Sequence, residues 1–159
     1  MPKRTADAAL SALEGAKDSL SAEPAATVHA DLGFDNAVWD GEHVWVIDLE
    51  WCCSAPADYE LVHILRYCAH PESVVEPEAR HRVALKDHTD IPRLLAQAYP
   101  ELFAHGRLRD RLLVYGLAGF ARGWHWRPDL WRKDIGVPDH PSRELLAFLN
   151  GGHWLTLLP

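Results

Sequence analysis

The sequence predicts a mostly helical α+β fold with one small β-hairpin, and three observations lead to this prediction. The chain has 159 residues, which is enough for one domain with a hydrophobic core. Apolar residues recur at helical spacing in most of its segments. A turn signal, Asp40-Gly41, stands between two short apolar runs, which is typical of a hairpin. We therefore expect a single domain over residues 1–159.

The first part of the chain contains one helix and the hairpin. Residues 6–20 are rich in Ala and Leu, with Leu10, Leu13 and Ala16 on one face, and Pro24 follows as a stop. Residues 26–30 resemble a short entering strand. Residues 36–39 and 43–49 are predicted to be the two strands of the hairpin.

The rest of the chain is predicted to be helical. The segment "SAPADYELVHILRYCAH" places Leu61, Ile64, Leu65 and Cys68 at helical spacing, and a loop rich in Pro and Glu follows over 71–78. The segment "WHWRPDLWRKDIGVPDHP" is predicted to be a connector. Further helical patterns cover 79–86, 91–98, 107–123 and 141–149.

Composition limits the partners and the compartment. The formal net charge is −7 and no run of Lys or Arg occurs, so we expect no nucleic-acid partner. The apolar runs are too short to cross a membrane, and the N-terminal segment is predicted to be an amphipathic helix and not a signal peptide. Three cysteines, two of them adjacent, do not resemble a disulfide framework, so we expect a reducing cytoplasm.

Cysteines and histidines near the hairpin raise the question of a zinc site. Their spacing matches no C-x₂-C module, and we expect His63 and Cys68 to lie in the apolar stripe of a helix. Zinc is therefore not expected. The residues concerned are Cys52, Cys53, His63, Cys68 and His70.

Polar residues are concentrated at one end of the hairpin. If the turn centres on Gly41, Asn36 lies opposite residue 46 or 47, and Asp48 lies at the same end of the ribbon. Asp31 is in the loop that enters the ribbon. Two carboxylates and a carboxamide are thus expected within about one strand spacing of one another. Oxygen ligands of this kind suit Mg²⁺, and a nearby acid can deprotonate a hydroxyl nucleophile.

The segment "HADLGFDN", followed after the hairpin by "IDLEW", resembles the catalytic region of the aminoglycoside phosphotransferase and choline kinase family, which has a protein-kinase-like fold. The family pattern is H-G-D-x-x-x-x-N, then a hairpin, then I-D-F/W-E/D. His29, Asp31, Asn36 and Asp48 match it, whereas Ala30 replaces the usual Gly and Leu49 the usual aromatic. The resemblance implies that Asp31 is the catalytic base and that Asn36 and Asp48 hold Mg²⁺ on the phosphates of ATP or GTP.

The segment "APADYEL" resembles the family's G-D-P-x-Y-D-L, with Glu60 where an Asp is usual. By this resemblance His29 and Glu60 are structural supports of the catalytic loop, and residues 28–61 are the catalytic region. The helical remainder, 62–159, is similar to the C-terminal lobe of the family. An N-terminal lobe with a Gly-rich loop and a strand Lys is expected to be absent.

Two main functions are compatible with this pattern. The first is a phosphotransferase that moves the γ-phosphate of ATP or GTP to a small-molecule hydroxyl, completed by a homodimer or a partner chain that covers the face of the absent lobe. The second is a catalytically silent lobe that serves as a binding or scaffold module. Metal-dependent hydrolysis is a minor third alternative.

A Trp-rich cluster after residue 123 has two interpretations. Trp124, Trp126 and Trp131 form either an acceptor or partner surface or the packing of helix ends. In the resembling enzymes the late helices line the acceptor site, so Asp129 and Asp134 are candidate contacts for a cationic acceptor. The sequence leaves both interpretations open.

Overall fold

The computed structural model of the protein describes residues 2–20, 24–71, 75, 77–82, 84–126, 128–132, 140–151 and 154–159. Helices dominate these residues, and the strands form two small antiparallel sheets, which confirms the mostly helical α+β prediction. The α-helices are α1 (Lys3–Ala16), α2 (Leu61–Ala69), α3 (Leu85–Thr89), α4 (Ile91–Ala98), α5 (Leu108–Trp126), α6 (Pro128–Trp131) and α7 (Pro141–Leu149). The strands are β1 (Ala25–Val28), β2 (Ala37–Trp39), β3 (Val44–Val46) and β4 (Cys53–Pro56).

The chain divides into two compact units, and the single-domain expectation stays a prediction. One unit is built from Met1–Ser21 and Arg107–Thr156, and the other from Ala22–Gly106 and Leu157–Pro159. The first contains α1, α5, α6 and α7. The second contains both sheets and α2 to α4, and therefore holds all the residues of the predicted catalytic region.

The helical unit is organised around a buried arginine. Arg111 of α5 is 1% exposed, and its guanidinium donates to the carbonyl of Ser19 at 2.9 Å and to the Tyr115 hydroxyl at 2.8 Å. A buried charge is tolerated when its donors are satisfied in this way. On α7, the ring of Phe148 stacks on that of Trp154 with centroids 5.0 Å apart, and it lies 5.7 Å from the ring of Phe120 of α5. An aromatic core therefore holds α5 against α7.

The second unit has its core on helix α2, which follows the turn that holds the loop over residues 29–36. On α2, Leu61, Leu65 and Cys68 are fully buried, as their spacing on one helix face predicts. Strand β1 pairs with β4 in antiparallel register, Val28 opposite Cys53. The predicted hairpin is β2 and β3, with Ala37 opposite Val46. This pairing places Asn36 next to Ile47, in agreement with the register predicted from the turn.

Three predicted segments differ from the structure. The helix expected over 79–86 is a 3₁₀ segment, Pro77–Arg82, followed by α3. Residues 53–56, for which no strand was predicted, form strand β4, which pairs with β1. The connector prediction is wrong for Trp124 and Trp126, which lie in α5. Part of that connector, including Asp134, lies outside the described residues.

Among the described residues, none of the helices has both the length and the apolar character that a bilayer span requires.

Candidate functional site

The candidate site is the loop between β1 and β2, together with the residues that follow β3. Residues 29–36 leave β1 and enter the hairpin, and Asp48 follows the hairpin's second strand. Hydrogen bonds between these two stretches, and from α2 and the turn before it, fix the loop.

His29 links the loop to the hairpin. Its ring Nε2 is 2.8 Å from the carbonyl oxygen of Ile47, and the backbone N–H of Asp31 points at its Nδ1 at 3.3 Å. Only the neutral tautomer with hydrogen on Nε2 can donate to the carbonyl and accept from the N–H at the same time. His29 is 7% exposed, and both contacts are partly buried. His29 therefore orients Asp31, and its geometry is that of a structural residue.

Glu60 holds the same loop from the other side. One carboxylate oxygen, Oε1, accepts the backbone N–H of His29 and, at 3.3 Å, that of Ala30. An ionised acceptor gives stronger hydrogen bonds than a neutral one. Asp is usual at this position in the resembling family, and the longer Glu side chain makes the contact here.

Ala30 adopts a backbone conformation that favours glycine. Its φ is 65°, in the left-handed region, where the Cβ atom of an L-residue is crowded. The residue is also 6% exposed, so its methyl group is buried. The family pattern has Gly at this position, and the positive φ gives the physical reason.

Asn36 closes the loop. Its side-chain Nδ2 donates to the backbone carbonyl of Asp31 at 2.9 Å, and the same carbonyl accepts the N–H of Gly33 at 2.9 Å. The backbone carbonyl of Asn36 accepts the N–H of Ile47 at 3.0 Å. Asn36 is thus bonded both to the Asp31 residue and to the neighbour of Asp48, so the three predicted site residues belong to one hydrogen-bonded loop.

Asp48 presents its carboxylate to solvent. Its φ is 61°, a left-handed conformation that Asp tolerates better than most residues, and its side chain is exposed. Because Asn36 uses its Nδ2 for the hydrogen bond to the Asp31 carbonyl, its Oδ1 is available as a metal ligand. A carboxylate and an amide oxygen are hard donors that Mg²⁺ accepts, usually with water and phosphate oxygens in its other positions. The donor set at Asn36 and Asp48 therefore fits the expected metal.

His63 lies next to Asp31. The sequence predicts only that His63 belongs to the apolar stripe of a helix. Its Nδ1 is 3.4 Å from Oδ1 of Asp31, and the exposed fractions of the two side chains are 19% and 38%. The contact spans 32 positions of sequence, so helical periodicity gave no signal for it. Tyr67, one turn further along α2, lies near the same loop. Burial and then the carboxylates of Asp31 and Asp35 raise the pKa of Tyr67.

The predicted Trp surface lies in the helical unit. Trp124 and Trp126, at the end of α5, are 44% and 54% exposed, and Trp131 is the last residue of α6. Trp124 borders an apolar cavity of about 270 Å³ between α1 and α5, which Leu13 and Phe120 also line. The structure thus places two of these Trp residues on a surface.

The three cysteines are free thiols. Cys52 and Cys53 are exposed and Cys68 is buried. Within the described ranges, His, Cys, Asp and Glu side chains do not assemble in groups of three or more suited to a metal. Burial raises the pKa of Cys68 to about 11, so this thiol stays protonated at neutral pH.

Comparisons with known proteins support the resemblance of the loop. The model of the phosphotransferase enzyme family matches residues 2–96, which is more than half of the chain and includes every residue of the candidate site. Neither the curated proteins nor the solved structures give a match. On the strength of the family match, the chain belongs to the phosphotransferase enzyme family.

Proposed function

We propose that the chain is a phosphotransferase with a kinase-like C-terminal lobe, and that it moves the γ-phosphoryl group of ATP or GTP to the hydroxyl of a small molecule. The observation that carries this proposal is the hydrogen-bonded loop that fixes Asp31 and Asn36 next to the residue before Asp48. Phosphoryl transfer depends mainly on positioning and on charge neutralisation. A loop held by His29, Asn36 and Glu60 supplies the positioning.

Asp31 is the proposed base. Its carboxylate is partly exposed, so an acceptor can reach it, and its backbone is held by three contacts, two to its carbonyl and one from its N–H. In the reaction, the acceptor hydroxyl gives its proton to this carboxylate while its oxygen forms the bond to the γ-phosphorus. The bond from that phosphorus to the bridging oxygen breaks, and the nucleoside diphosphate leaves with the electron pair.

Asn36 and Asp48 are the proposed holders of the nucleotide's magnesium. Bound Mg²⁺ neutralises phosphate charge and orients the γ-phosphoryl group. The amide oxygen of Asn36 and the carboxylate of Asp48 would hold it, and the exposure of Asp48 leaves room for phosphate oxygens on the same side. Zinc is not part of this proposal.

Nucleotide binding tests the proposal. We would titrate ATP with and without Mg²⁺ by calorimetry into the wild type, into Asp48→Ala and into a matched control, Glu50→Ala, which removes an exposed acid two positions away. The expected result is Mg²⁺-dependent binding that Asp48→Ala abolishes and Glu50→Ala retains. Absence of binding at millimolar ATP, or equal binding without Mg²⁺, would overturn the proposal.

Asp31→Asn separates chemistry from binding. An amide of the same shape cannot accept the hydroxyl proton, so we expect nucleotide binding to persist and transfer to an acceptor to stop. If Asp31→Asn transferred phosphate at the wild-type rate, Asp31 would not be the base. A screen of aminoglycosides, macrolides, choline-like amines and sugars would identify the acceptor.

A further inference from the structure

The hairpin of β2 and β3 exposes apolar side chains on both of its faces. By register, Val38 and Trp45 share one face, and Trp39 and Val44 share the other. Each of these side chains is 45–62% exposed. A two-stranded hairpin that is uncovered on both faces is at best marginally stable in water. The hairpin surface is defined here by Val38, Trp39, Val44, Trp45, Val46 and Ile47.

The size of the hairpin surface indicates an interaction site. Two half-exposed Trp side chains and four aliphatic ones leave on the order of 500 Å² of apolar area accessible. This area is divided between the two faces of the hairpin, and a strand added at its edge would contact both faces at once. The total area is more than half of what one partner contributes to a standard protein interface, about 800 Å².

Charge around the hairpin surface limits what can cover it. From Asp18 to Glu60 the sequence contains acidic residues but no Lys and no Arg. Five exposed acidic residues flank the hairpin surface and form its acidic rim: Asp35, Asp40, Glu42, Asp48 and Glu50. An apolar patch inside an acidic rim attracts a surface that combines apolar and basic side chains.

Other occupants fit this surface less well. Membranes with anionic lipids and nucleic acids both carry negative charge, and the acidic rim repels them. In a symmetric dimer formed through this hairpin, each acidic rim would face its own copy, because a two-fold interface pairs the same patch with itself. Like charges placed opposite each other are unfavourable. A different polypeptide with basic residues meets none of these objections.

We propose that the hairpin surface docks a second, different polypeptide that presents an apolar strand flanked by Lys or Arg. The outer edges of β2 and β3 are available for this strand, because in the described part of the chain their sheet has no third member. The alternating side chains of an added strand would pack beside the apolar ones of β2 or β3 on both faces, and its basic residues would lie next to the acidic rim. The proposal rests on the hairpin's exposure and charge, and it holds whether or not the chain binds nucleotide.

Two designed peptides test the proposal. One alternates Lys with Val and the other alternates Glu with Val, and each carries a fluorophore for anisotropy titrations with the full chain. We expect the Lys/Val peptide to bind at least about tenfold more tightly than the Glu/Val peptide, and added salt to reduce the difference. Equal affinities, or no binding of the Lys/Val peptide, would overturn the proposal.

Variants locate the binding. Trp39→Ser with Val44→Ser removes two apolar side chains from one hairpin face and should weaken Lys/Val binding about tenfold or more. The matched control is Trp126→Ser, which removes a Trp of similar exposure, 54%, from α5. Equal losses in the two variants would place the binding elsewhere.

A charge reversal keeps the test independent of hairpin folding. Glu42→Lys with Glu50→Lys changes only exposed rim residues and should sharply reduce the preference for the Lys/Val peptide, because three acids then face two lysines in the rim. An unchanged preference would contradict the role of the acidic rim. Self-association in sedimentation that the Trp39→Ser/Val44→Ser variant abolishes would identify a second copy as the occupant, and binding to anionic vesicles would identify a membrane. Either result would overturn the proposal.

Discussion

The ring of His29 reaches across the loop to Ile47, with 2.8 Å between its Nε2 and the carbonyl oxygen of the hairpin residue. The contact joins the strand that leads into the loop to the strand that precedes Asp48. Because His29 is buried, its ring has no access to water that could replace this contact if it is lost. The relative position of Asp31 and Asp48 therefore depends on a residue that needs no chemical role.

His29→Ala should destabilise the second unit by about 2–3 kcal/mol. The substitution leaves the Ile47 carbonyl without its donor and the Asp31 N–H without its acceptor, and it opens space under the loop. Urea unfolding followed by circular dichroism measures the change. The control is His43→Ala in the exposed hairpin turn, for which we expect less than about 0.5 kcal/mol. Equal losses would mean that the His29 contacts contribute little.

Ala30→Gly should stabilise the protein by about 0.5–1 kcal/mol. A positive φ costs an L-residue about 1–2 kcal/mol, and glycine removes that cost while losing a small buried methyl group and gaining freedom in the unfolded chain. Thermal unfolding measures the gain. Ala26→Gly in strand β1 is the control, because its backbone is extended and glycine there should destabilise. A loss of stability in Ala30→Gly would contradict the strain argument.

Local sequence patterns were sufficient for the hairpin and for much of the helical structure. Asp40-Gly41 fixed the turn, so the position of Asn36 opposite residue 46 or 47 followed, and the Ile47–Asn36 hydrogen bond confirms it. The bounds of α4 and α7 agree with the predicted 91–98 and 141–149 because their apolar spacing is regular and Pro residues mark their first turns.

Contacts between distant segments could not be predicted in this way. Strand β4 contains Pro56 and no strong strand former, and it is a strand only because β1 lies beside it. His63 fits the apolar stripe of α2 by spacing, and its contact with Asp31 depends on how that helix packs under the loop. Helix α5 likewise continues through Trp126, although the composition of that segment is typical of a connector. Tertiary packing can override such a local preference.

Gly33→Ala should destabilise the loop over residues 29–36 by about 1–3 kcal/mol. A Cβ atom at this position would lie 2.5 Å from Cε2 and 2.9 Å from Cζ of Tyr67, and it would also meet the Asp35 carboxylate. The ring or the loop must move to accommodate it. Chemical denaturation measures the cost, and Tyr67→Leu in the same chain should restore part of it by making space.

Gly15→Ala is the matched control for that substitution. Gly15 lies in α1, nothing stands within 4 Å of an added Cβ, and alanine is the better helix former. We expect a gain of about 0.5–1 kcal/mol. If both glycine variants changed stability in the same direction, the close approach of Tyr67 to the loop would not be the determining contact.

Asp40 should make the hairpin turn sensitive to acid. Its carboxylate accepts the Trp45 indole N–H at 2.6 Å and the backbone N–H groups of His43 and Glu42 at 2.7 and 2.9 Å. These bonds, with the indole contributing most, hold the pKa of Asp40 below its usual value of 3.8. A carboxyl group whose pKa is lowered by folding stabilises the turn above the unfolded pKa. This stabilisation is lost as the pH falls through the still lower folded pKa.

The expected result is that the turn is ordered at pH 5 and loses order as the pH falls below about 3.8, the usual pKa of the carboxyl. The Trp45 indole N–H resonance reports the bond directly, and Trp45→Phe assigns it. Asp40→Asn should remove the pH step from this resonance. A step that persists in Asp40→Asn would mean that another group controls the turn.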